Sequence, residues 1–219
     1  ELPWECDLDG EASTLVGRDG FRTRAVVKIQ EGCSSFCSFC IVPWVRGTEH
    51  SISAEHVIGE VKSRVAEGCR EVVLTGTKIG AYGWDGDGEC HGSAEGVGLE
   101  HLISRILAET RVQRLRLSSL QPQDLASSLL RMWVDKRLCR HLHIPLQSGS
   151  NSVLQRMGRR YSTDDYQWAV SLARETIPEV AITTDVIVGF PGETADESEE
   201  SYQFCRNMHY IKARFADTV

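Results

Sequence analysis

The stretch Glu31-Gly-Cys-Ser-Ser-Phe-Cys-Ser-Phe-Cys-Ile-Val-Pro43 places three thiols, Cys33, Cys37 and Cys40, within eight residues. At this C-x3-C-x2-C spacing a short loop brings its thiolates to one side while backbone N–H groups point inward at sulfur, an arrangement that holds a compact iron–sulfur centre. Ile41, Val42 and Pro43 offer neither thiolate nor imidazole. A [4Fe–4S] cube held here keeps one iron open for an exogenous ligand, which suggests chemistry rather than plain electron transfer. Two other readings stand beside this one. They are a structural zinc site completed by His50 or His56, and cysteines packed as small hydrophobes. The other five cysteines, Cys6, Cys69, Cys90, Cys139 and Cys205, have no partner at metal spacing and read as buried or incidental thiols.

On the N-terminal side of this loop, Ala25-Val-Val-Lys-Ile29 is short and β-branched, a strand that delivers the loop from its C-terminal end. Residues 1–21 lack periodicity and read as a tail or linker before a single domain, 22–219. On the C-terminal side, Ser53 caps a helix carrying Val57, Ile58, Val61 and Val65, stopped by Gly68. Glu71 to Thr75 is a second strand, and Lys78 to Gly98 a long glycine- and acid-rich loop. A helix on Leu99, Leu102, Ile103, Ile106 and Leu107 leads to the strand Arg114 to Ser118. A helix over 124–134 with Leu125, Leu129, Leu130 and Trp133 inward precedes the strand Leu142 to Ile144. Ser162 and Asp165 form a capping box for the next helix. The strand Ala181 to Val188 is almost continuously apolar, as one covered on both faces should be. Thr194 caps the last helix, and Tyr210 to Phe215 is a possible sixth strand.

This alternation implies a parallel sheet with right-handed crossovers, either doubly wound or a barrel. No GxGxxG follows the first strand, so the expectation is α/β, a partial (β/α)6 barrel of TIM-like type with outer helices. Chemistry then sits at the C-terminal strand ends, where the loops 31–43, 75–83, 118–122, 145–150 and 189–194 fall.

Composition is ordinary: 219 residues, 41% hydrophobic, 25% charged. A formal charge of −7 argues against this chain alone gripping nucleic acid strongly, because phosphate contacts need a basic surface. The basic groups Arg22/Arg24/Lys28, Arg111/Arg114/Arg116 and Arg156/Arg159/Arg160 read as solvated surface charge. Reduced thiolates and the absence of an apolar leader favour the cytoplasm, and no run is long enough to span a bilayer. The chain begins without Met, which suggests a fragment.

The cysteine loop, with Phe39 directly before Cys40, resembles the signature of radical S-adenosylmethionine enzymes. Cys40-Ile-Val-Pro43 with Arg46-Gly47, Leu74-Thr-Gly76 with Gly80 and Tyr82-Gly83, Leu117-Ser-Ser119 with Pro122, His143-Ile-Pro-Leu-Gln-Ser-Gly-Ser150, Leu154-x-Arg-Met-Gly-Arg-Arg160 and Thr184-Asp-Val-Ile-Val-Gly-Phe-Pro-Gly-Glu-Thr194 narrow it to the methylthiotransferase branch. The resemblance is nearest to the subgroup acting on N6-threonylcarbamoyladenosine 37 of tRNA. The branches acting on isopentenyladenosine or on a ribosomal protein stay open, as do another single-cluster radical reaction and a non-catalytic metal-binding module.

The resemblance implies a [4Fe–4S] cluster on Cys33, Cys37 and Cys40 that reductively cleaves S-adenosylmethionine. It places Phe39 near the adenine of that ligand and Thr75 and Gly76 at its methionine end. Gln147 and Ser148 become polar contacts, and Asp185 with Gly189 lines cofactor or substrate. It further implies tRNA and an electron donor as partners. A second [4Fe–4S] cluster on an N-terminal domain and a C-terminal RNA-binding domain are both absent from this chain. Two positions depart from the pattern: Ser51-Ile52 replaces the usual Ser-Arg, and Gln121 replaces the usual Glu before proline.

Overall fold

The computed structural model describes residues 23–84 and 98–217; the expected tail, Cys6, Cys90 and residues 85–97 of the long loop lie outside them. Each strand expected from the sequence forms. They are β1 (Arg24–Glu31), β3 (Glu71–Gly76), β4 (Arg114–Leu117), β5 (His141–His143), β6 (Ala181–Val188) and β7 (Lys212–Asp217). β1, β3 and β4 pair in parallel, as do β5, β6 and β7. Parallel bridges Leu115↔Leu138 and Ser119↔His143 join the two groups into one curled half-barrel. A two-residue strand, β2 (His50–Ser51), adds antiparallel to β1; so short an element has no periodicity to read.

Helices α2 (Ala54–Ala66), α3 (Leu99–Glu109), α6 (Thr163–Thr176) and α7 (Ala195–Asn207) form where periodicity and capping residues place them. Ser162/Asp165 and Thr194/Glu197 both make full capping boxes, each satisfying free N–H groups of a first turn. Val27, Ile29, Val72, Leu74, Leu115, Leu117, Leu142 and Ile182 are buried beneath these helices, forming one core with Val57, Val61, Leu102 and Ile106. Because side chains alternate along a strand, Lys28, Thr75, Arg116, His143, Thr183 and Asp185 fall on the opposite, concave face.

One element differs from expectation. The helix expected over 124–134 is broken into 3₁₀ turns at Pro122–Asp124 and Arg131–Val134 flanking the four-residue α4 (Ser127–Leu130). Asp124 spends its carboxylate capping the N–H of Gln121 at 2.9 Å, which ends a turn rather than starting a helix. Leu125, Leu129, Leu130 and Trp133 are buried all the same. The short helices α1 (Val42–Arg46) and α5 (Asn151–Arg156) follow the cysteine loop and β5.

Candidate active site

The cysteine loop leaves the C-terminal end of β1 and is held at both ends. Gly32 takes φ +76°, and a Cβ there would meet the Thr48 carbonyl oxygen at 1.8 Å; the N–H of Cys33 donates to Gly47 O at 3.0 Å. The buried Gln30 ties the loop to its neighbour strand. Its Nε2 donates to the Gly32 carbonyl, and its Oε1 accepts from the Lys78 N–H at 2.7 Å. Ser34 donates through both N–H and hydroxyl to Glu49, which Lys78 approaches at 3.5 Å. Burial opposes ionisation of Glu49, yet the Ser34 bonds hold its carboxyl below the usual range.

The middle of the loop rests on the turn after α5. Ser38 donates its N–H to Met157 O at 3.1 Å and its hydroxyl to Arg156 O at 2.9 Å. Arg159 Nη1 reaches Cys37 Sγ at 3.3 Å. Phe36, at φ +48°, meets Trp44 edge-on at 5.8 Å, and with the exposed Phe39 they give the loop an apolar rim.

A cleft of about 340 Å³ opens beside the loop, lined by Cys37, Lys78, Gln121, Asp124, Arg159 and Arg160 among others. Burial pushes the Asp124 carboxyl up. A Cβ on Gly80 would stand 2.2 Å from Asp124 Cγ, so a side chain there must displace the Asp124 carboxyl.

The expected site residues fall into two groups. Gln147 takes φ +69° at the exit of β5. Its N–H and C=O are fixed by Asp185 O (2.9 Å) and Ile187 N (2.8 Å), while its half-buried amide has no hydrogen-bond partner among the described residues. Glu179 and His209 share this left-handed φ; Gln147 differs in combining it with an unpartnered amide at a strand's C-terminal end. Thr75 lies half-buried on the concave face. Asp185 also lies there, but Arg214 grips it bidentately at 2.9 and 3.0 Å and His143 Nε2 stands 3.3 Å away. Burial opposes its ionisation and the Arg214 bonds outweigh that, so its carboxyl sits below the usual range.

The remaining expected positions are tied into the surrounding chain. Gly76 faces Gln30 so closely that a Cβ would lie 2.6 Å from its carbonyl oxygen. Ser148 is fully buried, with its hydroxyl engaged by Ser201 at 2.9 Å and by the Ser150 N–H at 3.1 Å. Gly189 adopts φ +68° as a turn.

Sequence reasoning missed Gln30, Glu49, Lys78 and Arg159. Arg159, expected as solvated surface charge, is half-buried against the cysteine loop. Arg24, Arg114 and Arg116 likewise converge on Glu71 at 2.8 to 3.0 Å at the opposite end of the sheet. A glutamine on the last residues of a strand before a glycine, and an arginine following a glycine turn, were the only local hints.

Among the described residues no three side chains converge closely enough to hold a single metal ion. A cubane bonds each thiolate to a different iron and needs a wider triangle. The donor set suits it: three free, partly exposed thiols with a guanidinium N–H already aimed at one sulfur.

The family model described as the Radical SAM superfamily matches residues 27–205. The chain is 38% identical over 208 residues to a tRNA-2-methylthio-N(6)-dimethylallyladenosine synthase of Caldicellulosiruptor saccharolyticus, covering 94% of this chain and 42% of that protein. It is 40% identical over 194 residues to the threonylcarbamoyladenosine tRNA methylthiotransferase MtaB of Bacillus subtilis, covering 86% and 41%. It thus spans less than half the length of these relatives. Among solved structures, the radical S-adenosylmethionine methyltransferase TsrM from Kitasatospora setae superposes with TM-score 0.70 at 18% identity, over 88% of this chain and 36% of that one. Methylornithine synthase superposes with TM-score 0.61 at 14% identity, over 90% and 53%. No helix among the described residues is long and apolar enough to cross a membrane. From the three-cysteine loop at the head of a parallel half-barrel and the match over 27–205, this chain belongs to the radical SAM superfamily.

Proposed function

We propose that this chain is the catalytic core of a tRNA methylthiotransferase, acting at C2 of N6-threonylcarbamoyladenosine 37, in the cytoplasm. The carrying observation is the cysteine loop pinned at the C-terminal rim of the half-barrel, beside a cleft into which β3 and β4 exit loops bring Lys78, Gln121 and Asp124. Cys33, Cys37 and Cys40 would hold the [4Fe–4S] cluster. Such a cluster supplies one electron that splits S-adenosylmethionine into methionine and a 5′-deoxyadenosyl radical.

The chain's own groups orient the reactants. Gln30 and Glu49 fix the loop; the Gln147 amide is available to a nucleoside; Asp185, immobilised by Arg214 and His143, presents a fixed charge on the concave wall. Phe39 at the apolar rim offers a face for the adenine, with Thr75 and Gly76 near the amino-acid end and Gly189 turning the chain beside it. Relatives named for dimethylallyladenosine and for threonylcarbamoyladenosine both match, so the dimethylallyl substrate is the second reading. The second cluster, the electron donor and most of the RNA grip would come from outside these residues, since the remaining cysteines are scattered.

Anaerobic reconstitution followed by a dithionite assay for 5′-deoxyadenosine tests the reading. Wild type should form it and Cys37→Ala should not; cluster assembly without deoxyadenosine would instead favour a binding module. Methylthio product from residues 1–219 alone would contradict the division of labour.

A further inference from the structure

Arg159 is the residue whose surroundings its chemistry leaves unexplained. Its guanidinium is tucked under the cysteine loop, with Nε donating to Tyr161 Oη at 3.2 Å, its carbon 4.9 Å above the Tyr161 ring, and Nη1 donating to Cys37 Sγ at 3.3 Å. No carboxylate among the described residues hydrogen-bonds it. The neighbouring Arg156 is exposed and yet paired with Glu197 at 2.8 Å, and Arg214 and Arg116 are paired with Asp185 and Glu71. Withdrawing a guanidinium from water without an anion is costly, so this position calls for one. The Asp124 carboxylate across the cleft acts on the guanidinium through space without bonding it, and the group the guanidinium does bond is the Cys37 sulfur, which is anionic once it ligates a cluster.

The placement is built and not incidental. Gly158, at φ +72°, turns the chain back under Cys37. The Arg159 N–H closes α5 on Leu154 O at 2.9 Å, and Tyr161 Oη is itself anchored on Leu146 O at 2.9 Å. Ser38 ties the loop to the same turn through Met157 and Arg156. Guanidinium and Cys37 therefore keep their separation.

We propose that Arg159 is a positioning residue that donates a charged hydrogen bond to the Cys37 sulfur and thereby raises the reduction potential of a cluster held by Cys33, Cys37 and Cys40. This rests on the cluster reading above. Reduction adds a negative charge to an already anionic cluster–thiolate unit. A fixed cation bonded to a ligand sulfur stabilises the reduced form more than the oxidised one.

The test compares wild type, Arg159→Lys and Arg159→Met after anaerobic reconstitution, by iron and sulfide content, EPR-monitored redox titration, and equilibrium binding of S-adenosylmethionine. Failure of wild type to load a cluster would sink the underlying reading. Given loading, the expected order of midpoint potential is wild type above Lys above Met, at equal iron content. Equal potentials in the variants that load would overturn the proposal. So would unchanged potential with weakened S-adenosylmethionine binding, which would assign the guanidinium to that ligand. Loss of cluster in both variants would assign it to loop structure alone.

Discussion

Gly32 lies directly against the backbone of Thr48, so close that a Cβ would stand 1.8 Å from the Thr48 carbonyl oxygen. This contact folds the segment after the cysteines back over the end of β1 and sets where the first thiol begins. Gly32→Ala meets both the clash and a left-handed φ of +76°. The strained φ alone costs about 1–3 kcal/mol, and the loop must open to relieve the contact. Iron loading after reconstitution should fall severely, while far-UV circular dichroism stays near wild type because the core lies beneath the sheet.

At the far end of the half-barrel, Glu71 is gripped by Arg24, Arg114 and Arg116. Burial opposes its ionisation, but the arginines hold its pKa down at about 2 against an ordinary 4.5. The unfolded chain then binds the extra proton between these values, so stability rises with pH across that window. The contribution is complete above about 4.5 and lost as pH falls toward about 2. Glu71→Gln should lower stability at neutral pH, by less than the roughly 3–5 kcal/mol of a fully buried pair because Arg24 and Arg114 are more than half exposed, and remove this part of the acid dependence. Urea titrations of both proteins from pH 2.5 to 6 measure it; parallel pH profiles would refute the assignment.

The left-handed φ of Gln147 separates stability from function. Gln147→Gly relieves the strain while adding unfolded-state entropy, so stability should stay within about 1 kcal/mol of wild type. Gln147→Val, β-branched, should cost about 1–3 kcal/mol. Both lose the unpartnered amide, and both should form 5′-deoxyadenosine more slowly. A Gly variant with full activity would remove Gln147 from the site.

Asp185 and Arg214 make a bidentate pair on an open face, and Arg214 is largely exposed. Exposed pairs contribute little to stability, so Asp185→Asn should shift it by less than about 1 kcal/mol. If Asp185 borders the reacting ligand, deoxyadenosine formation should fall about tenfold or more through misplacement. Arg214→Lys, retaining a charge but losing the fork, should fall between. Unaltered activity in Asp185→Asn would leave the pair a strand-to-strand tie.

The barrel was legible because each unit announces itself locally. Short β-branched runs mark β1 and β3, a 3.6-residue period marks α3, and Ser162/Asp165 and Thr194 mark helix starts. The region 122–134 misled for an equally local reason, since its apolar spacing is helical while Asp124 turns back to cap Gln121. The partner of Ser148 within the fold, Ser201, is set by the packing of α7 and has no signal in the local motif.

Sequence alone determined the chemistry on offer: three thiols on one loop with no fourth, and strand–helix units that set such a loop at a strand's C-terminal end. These are properties of neighbouring residues, governed by spacing and propensity. What surrounds the thiols was decided by tertiary structure. Arg159 is 122 positions from Cys37 and Lys78 is 48 from Gln30. Contacts across such distances arise from the curl of the sheet and the close packing of the loops it exposes, and no local pattern encodes them.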